Sequence, residues 1–186
     1  SDVTAIGYWP AIRGNTSVSI SGSSVDAAST EDVAIFSPAA VSITNSVVDA
    51  SGKTGADGIK SNGTAIVSGS WVSTSGSENF GTDITNSVLI NGTAGKVIGN
   101  ATIPNNVTLP EGTTLTVPES TSLTVPGNIV FTNKGTVNIE GNIVNHGRVD
   151  CNHHNGGTAT CTEKAKCDLC GQEHGDLLRH SLTKTE

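Results

Sequence analysis

The chain has 186 residues, a formal net charge of −7 and only 3% aromatic residues. Its basic residues do not cluster and its aromatics are too few to stack on bases, which argues against nucleic-acid binding. No apolar run approaches the roughly 18 residues that span a bilayer, so we expect no membrane insertion. Gly, Ser, Thr, Asn and Val are abundant, a composition typical of short β-strands separated by tight turns.

The first half of the chain repeats about every 23 to 24 residues. Apolar residues recur at corresponding positions in two series, Ile20, Ile43, Val67 and Val25, Val48, Val72. Within each run they alternate with polar residues, which is the period of a strand. This length fits one coil of a parallel β-helix, so we expect each series to form an inward-facing ladder. Asp26 and Asp49 should stack at equivalent positions of successive coils.

Residues 107–130 repeat every eight residues, with Val107, Leu115 and Leu123 at matching positions and Pro110, Pro118 and Pro126 closing each unit. We expect each eight-residue unit to stack on the next, as a narrower continuation of the solenoid. Asn133-Lys134-Gly135 and Asn145-His146-Gly147 then repeat twelve residues apart, with Asn and Gly suited to coil corners. The alternative is an antiparallel β-sandwich with Gly-rich turns, which strand and turn signals alone do not exclude.

The composition changes sharply at residue 150, because all four cysteines follow it and all five histidines lie at or beyond His146. We therefore predict an all-β chain in two parts. Residues 1–150 form a single-stranded parallel β-helix, and residues 151–186 form a small Cys/His-rich, zinc-ribbon-like module. The abrupt ends suggest a monomeric segment of a larger chain.

Several segments resemble a known class of proteins. Residues 11–14, 17–22 and 57–63 (AIRG, SVSISG and DGIKSNG) resemble coils in β-helical surface proteins of gut Firmicutes, described as adhesin-like or carbohydrate-binding-domain-containing. The run at 109–118 (LPEGTTLTVP) resembles their linear eight-residue repeats, and 156–171 resembles a Cys/His repeat at their C-terminal ends. The resemblance implies a secreted protein at the bacterial cell surface or cell wall. The resemblance indicates where the protein is located but does not indicate a specific activity.

The tail contains more potential metal ligands than one zinc ion needs. Cys167-x-x-Cys170 followed by Gly171 is a tight turn that points two sulfurs at one centre. We favour Cys161, Cys167, Cys170 and His180 as structural zinc ligands, with Cys151 and His153 as alternates that would join the same turn. Two disulfides remain an alternative for a secreted chain, and a redox pair is a third. A segment with so few apolar residues would depend on a bound metal or on disulfides to fold.

The sequence contains no catalytic signature. The first 145 residues contain no histidine, and no Ser-His-Asp pattern, phosphate loop or nucleophile elbow is present. Tyr8, Trp9 and Trp71 are the aromatic candidates for stacking on a sugar, with Trp71 facing outward because its neighbour Val72 faces inward. Alternatively, Trp71 packs at a coil edge, and Tyr8 and Trp9 cover the N-terminal end of the solenoid.

We therefore expect a non-catalytic, extracellular β-solenoid that acts in adhesion or as a display scaffold. The alternatives are a carbohydrate-binding module and, less favoured, a polysaccharide lyase or hydrolase. Host or microbial glycans or surface proteins are the expected partners.

Overall fold

The computed structural model describes residues 1–75, 83–152 and 156–178, and every regular element in these ranges is a β-strand. Strand pairing is parallel except at two hairpins, which confirms the β-solenoid and excludes the antiparallel sandwich. The N-terminal half contains β1 (Asp2–Gly7), β2 (Ile12–Arg13), β3 (Ser17–Ser21), β4 (Ser24–Ser29), β5 (Ile35–Ser37), β6 (Ala40–Thr44), β7 (Val47–Ser51), β8 (Ile59–Ser61), β9 (Thr64–Ser68), β10 (Trp71–Thr74), β11 (Asp83–Thr85) and β12 (Ser87–Asn91).

Each coil of the N-terminal half adds successive strands to three parallel sheets. Both predicted ladders are confirmed, because Ile20 pairs with Ile43 and then Val67, and Val25 pairs with Val48 and then Val72. Ile12, Ile35 and Ile59 form a third ladder. These side chains form one buried cluster, and burying each of them stabilises the fold by about 1.5–3 kcal/mol.

A serine ladder stabilises one corner of these coils. The Ser23 N–H donates to Ser46 Oγ at 3.2 Å, Ser46 N–H to Ser70 Oγ at 3.2 Å, and Ser70 N–H to Ser87 Oγ at 3.1 Å. Each accepting hydroxyl also donates to the carbonyl two residues before it. Ser46, Ser70 and Ser87 are buried, so the ladder satisfies backbone groups that water does not reach.

The chain reverses direction at a hairpin between β12 and β13 (Ala94–Ile98). Asn91 pairs with Ala94 across a turn in which Gly92 has a φ of 58°, a left-handed value that glycine adopts without a Cβ penalty. The eight-stranded sheet continues through the hairpin in the order β1, β4, β7, β10, β12, β13, β16, β19. We call it the shared sheet, because both halves of the solenoid use it as a wall.

The two halves pack on opposite faces of the shared sheet. Leu89 packs against the N-terminal core, whereas its neighbours Val88 and Ile90 belong to the C-terminal core. Trp71 also points away from the N-terminal core and enters the C-terminal one. At the hairpin, the strand direction reverses and so does the face of the sheet that is buried, while new strands are still added at the same edge. The two reversals cancel, so both halves wind with the same hand.

The C-terminal half winds from β13 through β14 (Asn100–Thr102), β15 (Val107–Leu109), β16 (Thr114–Val117), β17 (Ser122–Val125), β18 (Val130–Asn133), β19 (Thr136–Ile139), β20 (Asn142–Asn145) and β21 (Arg148–Cys151). The eight-residue units do not stack on one another, so that expectation is wrong. β15, β16 and β17 lie in three different sheets, and each unit is one side of a three-sided coil. Stacking partners are farther apart, since Val107 pairs with Phe131 and Leu115 with Val137.

The tail, described over residues 156–178, is a small antiparallel hairpin of β22 (Ala165–Lys166) and β23 (Glu173–His174). It has little core of its own. Cys167 and Leu169 are instead buried within the C-terminal core of the solenoid.

Candidate metal centre

Three cysteines converge where the solenoid meets the tail. Cys151 ends β21, the last solenoid strand, and Cys167 and Cys170 lie in the loop between β22 and β23. Their sulfur atoms all lie within 4.8 Å of one another. Three sulfurs bound tetrahedrally to zinc at about 2.3 Å would lie about 3.8 Å apart, so the cluster needs only a small contraction to hold the ion.

Backbone hydrogen bonds fix the shape of the Cys167–Cys170 loop. The Cys167 N–H donates to the carbonyl of Gln172 at 2.8 Å, and the Gly171 N–H donates to the carbonyl of Cys167 at 2.8 Å. Gly171 has a φ of 72°, which lets the chain turn sharply after the second cysteine. The tight turn expected from the Cys-x-x-Cys-Gly sequence is therefore present.

Cys151 approaches the same point from the solenoid. It pairs in register with Asn133 on β18, and the Asn152 N–H donates to the Asn133 carbonyl at 3.0 Å. Burial raises the pKa of the Cys151 thiol above its usual range, and the neighbouring Cys170 and Cys167 raise it further. Three thiolates packed together repel one another, and a bound divalent cation would offset that repulsion.

A small cavity lies between the solenoid end and the tail. It measures about 80 Å³ and is lined from the solenoid by Asn133, Val137 and Ile139, and from the tail by Gly156, Cys167, Asp168 and Leu169. The Oδ1 atom of Asn133 is buried with no hydrogen-bond partner. Asn133 was expected only at a coil corner, because the register of β18 against β21, which brings it beside the cysteines, is not visible in the sequence.

Within the described residues, the structure brings together only part of the favoured ligand set. Cys161 is exposed and does not belong to the cluster, whereas the alternate Cys151 does. Cys161 lies closer in sequence to the Cys167–Cys170 turn than Cys151 does, but Cys151 is held beside that turn because it ends strand β21. His153 and His180 lie outside the described residues. The four cysteines, all within the described ranges, form no disulfide.

The aromatic candidates separate into buried and exposed residues. Trp71 is only 3% exposed and packs edge-on against Phe131, with ring centroids 5.6 Å apart. It does point out of the N-terminal coils, but the C-terminal half covers it, so the expected exposure is wrong. Tyr8 and Trp9 are 66% and 71% exposed, and their rings lie 6.5 Å apart.

A groove on the face of the shared sheet that points away from the N-terminal core contains the stacked carboxylates. Asp26 pairs in register with Asp49, as expected, and Asp2, Thr4 and Ser24 line the same groove. Burial raises the pKa of Asp49, the neighbouring Asp26 raises it further, and a hydrogen bond with Ser73 opposes both effects.

Comparisons with protein-family models, curated proteins and solved structures found no match to this chain. Within the described ranges, no helix has the length and apolar character needed to cross a membrane.

Proposed function

We propose that this chain is a non-catalytic display scaffold of a bacterial surface protein and that it acts in adhesion. The observation behind this proposal is the order of the shared sheet, which places β1 and β19 at opposite edges. Neighbouring strands lie about 4.8 Å apart, so the eight strands separate those edges by about 34 Å. A rigid spacer of this kind would hold attached segments apart at the bacterial cell wall.

The groove that contains Asp26 and Asp49 supports a polysaccharide lyase less well than a scaffold. Paired carboxylates can catalyse glycosidic cleavage, and Asp26 and Asp49 are adjacent. However, no lysine or arginine lines this groove in the described structure. Arg13 instead lies over the ring of Phe36, on a different sheet. The carboxylates therefore lack the basic partner that β-elimination of a polysaccharide requires.

Attachment of whole cells tests the adhesion proposal. A wall-anchoring bacterial host that displays this chain should attach to mucin-coated or matrix-protein-coated wells more strongly than the undecorated host. Ile43→Asp is the matched control, because it places a charge in a fully buried ladder and disrupts the solenoid. Equal attachment by the displayed chain, the control and the undecorated host would contradict the proposal.

Carbohydrate binding is the second candidate, favoured by the exposed pair Tyr8 and Trp9. Flat aromatic faces stack on sugar rings, and these two are available to solvent. Saturable binding on a glycan array that Trp9→Ala abolishes would favour this function over a pure scaffold. Ile66→Ala is the control, since Ile66 is an exposed apolar residue on β9, whereas Tyr8 and Trp9 lie in the loop after β1.

We propose Zn²⁺ as the ion of the metal centre. Thiolates are soft ligands that select zinc over magnesium or calcium, and the cluster offers three. Zinc bound there would have a structural role.

A further inference from the structure

The candidate metal centre draws its ligands from two different parts of the molecule. Cys151 belongs to a solenoid strand that pairs with β18, whereas Cys167 and Cys170 belong to the tail hairpin. An ion bound by all three would therefore form a cross-link between the solenoid and the tail.

Among the described residues, apolar packing across this junction centres on two tail side chains. Leu169 and the Cys167 side chain insert into the C-terminal core, and Leu169 is the large apolar anchor among the tail residues of that core. Beside them the 80 Å³ cavity and the unsatisfied Asn133 Oδ1 leave the junction incompletely packed. A hairpin of two-residue strands supplies little stability by itself.

The junction covers part of the solenoid's C-terminal end. β19 and β21 are terminal strands of their sheets, and the tail packs against Val137 and Ile139 of β19. Terminal strands present unpaired backbone groups, and a solenoid protects its core by covering them.

We propose that a divalent metal bound by Cys151, Cys167 and Cys170 latches the tail onto the C-terminal end of the solenoid, so that metal occupancy decides whether this end is covered. This inference rests on the proposed zinc binding. With metal, the three thiolates share one cation and hold the tail against β19. Without it, the tail depends on Leu169 and a partly filled junction, and it detaches.

Hydrogen exchange of the full chain, measured by mass spectrometry with zinc and after chelation with EDTA, tests the latch. Chelation should accelerate exchange at least tenfold in peptides covering 130–151 and 165–174, while peptides covering 17–51 keep their rates. Adding zinc back should restore the slow exchange.

Metal analysis of two serine variants separates the possible failures. Wild type and Cys161→Ser should retain about one zinc per chain, because Cys161 lies outside the cluster, whereas Cys170→Ser should lose it. If wild type retains zinc but zinc removal leaves exchange in 130–151 unchanged, the latch is overturned and the metal site still stands. Wild-type protein that retains no zinc would overturn both.

Discussion

Replacing Trp71 with alanine should test whether one sheet serves two cores. Trp71 starts β10 in the N-terminal half, yet its ring lies in the C-terminal core, edge-on to Phe131 at 5.6 Å. The side chain is 3% exposed, so truncation leaves a large cavity at the contact between the halves. Losing a buried tryptophan costs about 3–5 kcal/mol, and we expect a fall of that size in the free energy of unfolding.

Urea denaturation followed by far-UV circular dichroism measures this change, and Trp9→Ala is the control. Trp9 is 71% exposed, so its removal should change the free energy of unfolding by less than about 0.5 kcal/mol. A Trp71→Ala chain as stable as wild type, or a Trp9→Ala chain equally destabilised, would refute the shared-sheet packing.

Two further changes probe the N-terminal coils. Ser70→Ala removes the acceptor of the buried Ser46 N–H and should cost about 1–3 kcal/mol in urea denaturation; an unchanged midpoint would count against the serine ladder. Asp49 has a raised native pKa, so the folded state binds its proton more tightly than the unfolded chain does. Stability due to that proton is present below the ordinary Asp pKa and is lost as pH rises through the raised value. Asp49→Asn should therefore gain melting temperature relative to wild type as the pH rises from 3 to 7, and Asp26→Asn should show part of that gain; parallel pH profiles would contradict this reasoning.

Much of the N-terminal architecture could be predicted from the sequence. The 23- to 24-residue repeat placed Ile20 over Ile43 and Val25 over Val48, because an inward position in one coil must match an inward position in the next. The register of Asp26 on Asp49 followed from the same repeat.

The prediction was wrong where a short repeat had two physical interpretations. A period of eight fits a small coil, but it also fits one side of a three-sided coil, which is what β15, β16 and β17 form. The hairpin at Gly92 was not predicted either. Its reversal moves the buried face to the other side of the sheet, and this is why Trp71 is covered and not exposed.

The cysteine cluster was predicted in part. The proximity of Cys167 and Cys170 could be predicted from their spacing, because only two residues separate them and both lie in one turn. The choice between Cys151 and Cys161 depended on which of them the solenoid presents to that turn, and this follows from the stacking of β21 on β18. Local spacing contains no information about that stacking.

X-ray absorption at the zinc edge, on protein purified with zinc, is the most direct test of the metal-latched solenoid. The account predicts bound zinc with three sulfur neighbours at about 2.3 Å, and Cys151→Ser should lose the zinc or leave it with at most two sulfur neighbours. A first shell of nitrogen and oxygen atoms alone, or a sulfur count that Cys151→Ser leaves at three, would contradict it.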